Sequence, residues 1–436
     1  MNEAYILYGT SSLEGSKGEG TIGITKLHTR GANLRTFKQS LTASNKIAVH
    51  ENCILAALTD RPIINIYGLK KEAPLQRIVV PEKLSCLCLS RSKKLLAAGT
   101  PTGKLILWEI TSGSCLIYKE VHFGAINCLV FSHDDACLFT GGTDARIHCW
   151  STYTLCSIQE NYEHLKPVAT GNQHSLSITG IYCGYGSIHD ARLYSISDDA
   201  SLRVWNASDL TLYSTFVFEK PLKSLVVDSA ERTAFTGSNS GLIYNVPLYH
   251  SVQESTGVEY TGGLQKVVDM SLEDTKTFQC HQGDVLALDL SYDGTQLVSG
   301  GNDGSVIIWD IATLQVLHNL KTGKGVVHST MILQNLPQDT FYPLESLKFT
   351  SGSDMSSSHN CWLTIPASVD SETEHFSLGS LEEPTMIQSP SSPPIEDSSR
   401  ADRLKILELE QKISSMSEAY NKLWASFGEI AGNESD

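Results

Sequence analysis

His122, Thr140 and Asp144, and again His281, Ser299 and Asp303, are the residue types of a hydroxyl–imidazole–carboxylate triad. In such a triad the imidazole takes the hydroxyl proton during attack on a carbonyl, and the carboxylate holds the imidazole in the right tautomer. The two sets share one spacing. His and Asp are 22 residues apart in each (144 − 122 = 22; 303 − 281 = 22), and a Trp follows each Asp by six (150 − 144 = 6; 309 − 303 = 6). A third set, His174, Ser195, Asp199 and Trp205, keeps the last step and stretches the first to 25 (199 − 174 = 25). A nucleophilic triad occurs once, in a cleft with an oxyanion hole, so repetition points to the scaffold instead.

The elements around these residues give the repetition its meaning. Segment 122–150 reads HFGAINCLVFSHDDACLFTGGTDARIHCW, and segment 281–310 reads HQGDVLALDLSYDGTQLVSGGNDGSVIIWD. Both alternate apolar and polar residues, then break at Gly, Asn or Asp; Asn302-Asp-Gly304 is a tight-turn signal between β runs. Fixed spacing within a period near 40 residues is the mark of a WD-repeat β-propeller. In that fold His122, Thr140, Asp144 and Trp150, then His174, Ser195, Asp199 and Trp205, then His281, Ser299, Asp303 and Trp309, form structural tetrads. Degenerate copies fill the intervals. Leu95–Trp108 keeps the Trp and replaces the Asp, Leu55–Tyr67 ends on Tyr, and Phe235–Val246 is a degenerate copy that ends on Val. Blades are expected near 44–80, 81–120, 122–160, 168–218, 221–280 and 282–320. A seventh is shared between the N-terminal strands and 326–333, so that ring closure hides the sheet edges. Residues 184–190 are expected to form an enlarged turn, and 250–276 an exposed insertion loop.

Composition narrows the function. The net charge is −15 (33 − 48), which argues against nucleic-acid binding through general basicity. No apolar run approaches the ~20 residues of a membrane span, so no membrane partner is expected. The first twenty residues make a poor signal peptide. Eleven cysteines contain no C-x-x-C pair and fall on expected strands, which reads as reduced thiols packed in the core. No Walker loop, HExxH or zinc-spaced cluster is present, and Gly18, Gly20 and Gly23 precede a strand where a dinucleotide site needs a helix. Neither catalysis nor a cofactor or metal is expected.

Beyond the propeller (1–335) the texture changes twice. Segment 336–365 is apolar enough to pack on the propeller or on a partner. Residues 366–401 are rich in Ser, Pro and acids, and 366–402 holds eight Asp or Glu (370, 372, 374, 382, 383, 396, 397, 402) against Arg400. That reads as a disordered, self-repelling linker. Ser389 and Ser392, each before Pro, read either as proline-directed phosphorylation sites or as part of a stiff spacer. In 402–431, Ile406, Leu409, Ile413, Met416, Tyr420, Leu423, Phe427 and Ile430 step by 3 and 4, an a/d seam of about four heptads. A lone helix of this length is marginal in water, so the seam needs a partner: a second copy, another protein's helix, or the propeller.

His174-Ser-Leu-Ser-Ile-Thr-Gly-Ile-Tyr-Cys-Gly-Tyr-Gly186, Ser195–Trp205 and Phe235–Gly241, with the terminal helix from Asp402 through Phe427, resemble the WD-repeat protein eighteen family. This is the propeller subunit of the pre-ribosomal-RNA-processing complex that works with the AAA ATPase midasin. The resemblance spans nearly the whole chain and is weakest at 1–80 and 336–400. It implies a nuclear, nucleolar and nucleoplasmic scaffold acting in removal of the second internal transcribed spacer and in late pre-60S maturation, with replication licensing attached to fungal members. It also implies helical-repeat scaffold subunits, the midasin-type ATPase and the pre-60S particle as partners, and dimerisation through the C-terminal helix. The rival reading is a substrate adaptor of a ubiquitin ligase or a signalling scaffold, which would need an arginine pocket on the propeller top; the arginines are scattered in sequence.

Overall fold

The computed structural model describes residues 4–334, apart from 12–19, 28–32, 43–44, 51–52, 70, 112, 114, 158–164, 252–257, 261–265, 271–275 and 323–324. Segment 336–365, the 366–401 linker with Ser389 and Ser392, and the 402–431 helix lie outside the described residues. No described helix is long and apolar enough to cross a membrane.

Strands group into seven antiparallel blades. Innermost to outermost, blade 1 is Ile47–Val49, Ile54–Ala57, Ile63–Tyr67 and Gln76–Val79, and blade 2 is Cys86–Leu89, Leu95–Gly99, Lys104–Glu109 and Cys115–Glu120. Blade 3 is Ile126–Phe131, Cys137–Gly142, Ile147–Ser151 and Ala169–Gly171; blade 4 is Ile178–Cys183, Arg192–Ser197, Ser201–Asn206 and Leu212–Val217. Blade 5 is Leu222–Val227, Thr233–Ser238, Leu242–Pro247 and Lys276–Gln279, and blade 6 is Val285–Leu290, Gln296–Gly301, Ser305–Asp310 and Gln315–Lys321. Blade 7 joins both ends of the propeller sequence. Its innermost strand Val326–Leu333 pairs antiparallel with Tyr5–Ser11, followed outward by Thr21–Lys26 and Asn33–Phe37.

The ring closes because each strand sends alternate side chains to opposite neighbours. In Arg192–Ser197, Leu193 packs into the core shared with blade 3, while Tyr194 and Ile196 pack into the core shared with blade 5. Seven hydrophobic clusters result, each built from two adjacent blades, the last one joining blade 7 to blade 1. Each large side chain buried there contributes ~1.5–3 kcal/mol relative to exposure. Turn glycines allow the blades to approach this closely. Gly103 and Gly241, at φ +85° and +83°, lie under the carbonyls of His122 and His281; an added Cβ would sit 2.1 and 2.3 Å from those oxygens.

Two expectations need correction. The outer strand of blade 3 is Ala169–Gly171, paired with Ile147–Cys149, so blade 3 runs past 160 and 168–171 does not open blade 4. The helix Thr152–Ser157 intervenes and breaks the strand rhythm. The 250–276 insertion is also more than a loop. Tyr249–Ser251 pairs with Val258–Tyr260, and Lys266–Asp269 adds to blade 4 in parallel with Ser214–Val217. That fifth strand covers an edge that would otherwise template pairing with another chain. Met270, directly after it, is buried in the core between blades 4 and 5.

Candidate functional site

The structure brings the twelve tetrad residues together in three groups. In blade 6 the Trp309 indole N–H donates to Ser299 Oγ at 2.8 Å, Ser299 Oγ lies 2.7 Å from His281 Nε2, and His281 Nδ1 lies 3.1 Å from both Asp303 oxygens. Blade 4 repeats this with Trp205 to Ser195 at 2.8 Å, Ser195 to His174 Nε2 at 2.7 Å and His174 Nδ1 to Asp199 at 3.0 Å. In blade 3 the corresponding separations are 3.2 Å for Trp150 to Thr140, 2.7 Å for Thr140 to His122, and 3.0 Å for His122 to Asp144. An indole N–H can only donate, so the hydroxyl accepts there and spends its own proton on His Nε2. The imidazole then carries its proton on Nδ1 and donates it to the carboxylate.

This is the proton order of a catalytic triad, yet the nucleophile position is closed. Thr140, Ser195 and Ser299 are each 0% exposed, and the indole already occupies the oxygen that would attack. The electrostatics fit a fixed neutral imidazole. Burial lowers the His174 and His281 pKa, outweighing the opposing pull of Asp199 and Asp303. Burial alone would raise Asp199, but hydrogen bonds from His174 and Ser201 hold it well below the usual carboxylate range. Each carboxylate also accepts the main-chain N–H after its His, from Phe123, Ser175 or Gln282, and so ties the leading turn to the inner strands.

His122, Asp144 and His148 place possible metal-ligand atoms within 4.8 Å of one another. His122 and Asp144 are spent on the tetrad, and His148 Nδ1 lies 2.9 Å from Thr170 Oγ1. Burial pushes His148 down to about 4. A cation here would have to dismantle the tetrad.

The degenerate blades solve the same problem differently. In blade 2, Glu82 stands four before the inner strand, where His122 and His281 stand in theirs (86 − 82 = 4; 126 − 122 = 4; 285 − 281 = 4). Thr102 stands six before Trp108, in the place of the Asp, and donates to Glu82 Oε2 at 2.6 Å. Tyr118 donates to Glu82 Oε1 at 2.7 Å, and Lys104 Nζ bonds the same oxygen. Burial opposes the shift, but these donors hold Glu82 at about 2. The polarity of the tie is inverted while its positions are kept. In blade 1, Tyr67 replaces Trp and its hydroxyl donates outward to the Gln39 carbonyl, 2.9 Å away. In blade 5, Val246 replaces Trp and Phe218 holds the leading position, packed on Tyr244 at 4.9 Å between centroids. Thr236, at the hydroxyl position, is left with a buried Oγ1 that has no hydrogen-bond partner among the described residues.

The family described as "WD domain, G-beta repeat" matches residues 113–151 and 272–310, which include the His122 and His281 tetrads. The "Pre-rRNA-processing protein IPI3" of Yarrowia lipolytica is 32% identical over 332 residues, covering 73% of this chain and 76% of that protein. The "Pre-rRNA-processing protein crb3/ipi3" of Schizosaccharomyces pombe is 31% identical over 364 residues, 79% and 80% of the two chains. The chain belongs to the IPI3 family of pre-rRNA-processing WD-repeat proteins. Human "WD repeat-containing protein 18" is 28% identical over 314 residues, 71% of this chain and 69% of that one.

A further feature of this IPI3-family propeller has no signal in the sequence. At the end of the axis facing the tetrad loops, a cavity of about 610 Å³ is lined by residues of all seven blades, among them Lys46, Lys83, Lys223 and His328. A belt of side-chain bonds from one inner strand to the next rims it. Ser85 donates to the Ile126 carbonyl, Asn127 to that of Ile178 at 2.8 Å, Thr179 to that of Leu222 at 2.8 Å, and Ser224 to that of Val285 at 2.8 Å. No spacing announces these lysines, because each comes from a different blade. No arginine is among the cavity's described lining residues.

The ten described cysteines are all free, six of them buried; Cys280 is exposed. The seam from Ile406 to Ile430, and Ser389 and Ser392, lie outside the described residues.

Proposed function

We propose that this protein is a non-enzymatic propeller scaffold in pre-rRNA processing, acting within a nuclear ribosome-assembly complex. The observation that carries this is its kinship with the IPI3 proteins across about three quarters of both chains. The buried tetrads support the non-enzymatic part, because the residues most suggestive of chemistry are closed to any substrate.

In finer detail, the protein acts in removal of the second internal transcribed spacer and in late maturation of the pre-60S particle, in the nucleolus and nucleoplasm. The propeller engages helical-repeat scaffold subunits, the complex meets a midasin-type AAA ATPase, and the 402–431 helix pairs with a second copy. Replication licensing belongs with the same proposal as a secondary role. These details rest on the resemblance of the middle blades and terminal helix to the WD-repeat protein eighteen family. Depletion of the protein followed by RNA blotting is the test. Accumulation of the 27S-type precursor containing the second spacer is expected, and a normal processing profile would refute the reading.

A further inference from the structure

Two of the three lysines at the axial cavity, Lys46 and Lys83, have no ion pair among the described residues, whereas Lys223 is paired with Asp198. Lys46 is only 6% exposed, and no carboxylate or hydrogen-bond acceptor meets its ammonium among the described residues. The Lys46 ammonium is not among the side-chain atoms sealed from solvent without a partner, so it opens onto the cavity, where an anion can pair with it. Burial lowers the Lys46 pKa, and the nearby Lys83 charge lowers it further. The Lys46 charge in turn adds to burial in depressing His328. Asp198 is the one carboxylate among the described lining residues, and it is committed to Lys223 at 2.6 Å. A chain with net charge −15 therefore gathers uncompensated positive charge at one end of its axis.

Two exposed apolar groups lie in loops that reach the cavity, and the Arg146 guanidinium lies 5.6 Å from the centre of one of them, the Phe123 ring. Phe123 and Leu176, 86% and 53% exposed, sit in the loops that lead into the cavity at Ala125 and Ser177. The inter-blade belt holds the cavity wall in place, so a ligand would meet a preformed surface.

We propose that this cavity is a docking site for an acidic peptide segment of a partner protein, with carboxylates received by Lys46 and Lys83 and an apolar side chain resting on Phe123 or Leu176. The charge selects an anion, and the exposed aromatic and aliphatic groups favour a peptide over a bare phosphate. This deepens the scaffold reading by naming the surface and the chemistry of what it binds.

The test uses the full chain and a fluorescein-labelled peptide of Glu, Asp and Leu, read by fluorescence anisotropy. Its Gln, Asn and Leu counterpart serves as the neutral control. Lys83→Glu is compared with Lys266→Glu, which makes the same charge change on the added strand of blade 4, where Lys266 is exposed. The acidic peptide is expected to bind the wild type and Lys266→Glu equally and Lys83→Glu about tenfold more weakly, ~1.4 kcal/mol. Equal weakening by both variants, or equal binding of the neutral peptide, would overturn the proposal. So would tighter binding of a uridine-rich RNA oligonucleotide than of the peptide at the same lysine, which would make the cavity a nucleic-acid site. None of these outcomes alters the precursor profile on depletion, so this site and the processing role stand or fall separately.

Discussion

Thr102 donates a hydrogen bond to Glu82 at 2.6 Å across blade 2, and the two residues occupy the positions that Asp144 and His122 hold in blade 3. The tie between the leading turn and the strand-connecting turn is thus kept while carboxylate and donor change sides. Where the junction is polar, as in blades 2, 3, 4 and 6, it holds one charged acceptor and one donor, with no fixed assignment of which turn supplies which.

Glu82→Ala is expected to destabilise the propeller by ~1–2 kcal/mol at neutral pH, because three donors lose a charged acceptor that is itself partly exposed. The folded-state pKa of Glu82 is depressed from 4.5 to about 2. Its contribution is therefore present above 4.5 and lost as the pH falls toward about 2. The gap in thermal midpoint between wild type and variant should narrow as the pH drops below 4.5. A gap independent of pH would exclude the ionised carboxylate as the cause.

Ser299 and Thr236 hold the same position in adjacent blades and should respond oppositely. Ser299→Ala strands the Trp309 N–H and His281 Nε2 in the core, at an expected cost of ~2–4 kcal/mol. Thr236→Val removes a hydroxyl that bonds nothing among the described residues, so the variant should match or exceed wild-type stability within ~1 kcal/mol. Thermal melts of the two proteins decide it, and equal losses would show that the position matters for packing alone.

Ile413→Asp with Leu423→Asp places charges in the middle of the 406–430 seam. If that seam pairs two copies, the particle mass measured by light scattering should fall to that of one chain. An unchanged mass would show that the helix does not hold copies together.

What could be read in the sequence, and what could not, follows the range of the interactions. The three tetrads were legible because their residues lie within one blade and a turn, where spacing is fixed by strand length. The shared seventh blade was legible because Tyr5–Ser11 and Val326–Leu333 each lack neighbours that a four-stranded sheet requires. Ala169–Gly171 was assigned to the wrong blade because the helix Thr152–Ser157 displaces it from the usual interval. Lys266–Asp269 was missed because a short strand pairing in parallel with another blade leaves no alternation to read. Glu82 was findable: its place four before the inner strand carries the signal, although a carboxylate stands there where blades 3, 4 and 6 have His. The grouping of Lys46, Lys83 and Lys223 was not findable, since it exists only once the ring is closed.

Closure of blade 7 also sets a clock for synthesis. Tyr5–Ser11 leaves the ribosome 315 residues before the strand that completes its sheet (326 − 11 = 315). At common translation rates that interval is roughly 15–60 s. Throughout it, Tyr5–Ser11 presents an open edge, and the blade 1 surface that Leu7, Ile22 and Phe37 will cover has no finished neighbour. The nascent propeller is therefore most vulnerable to mispairing at the very strand it makes first, and a chaperone that shields the N-terminal hairpin would act where the need lasts longest.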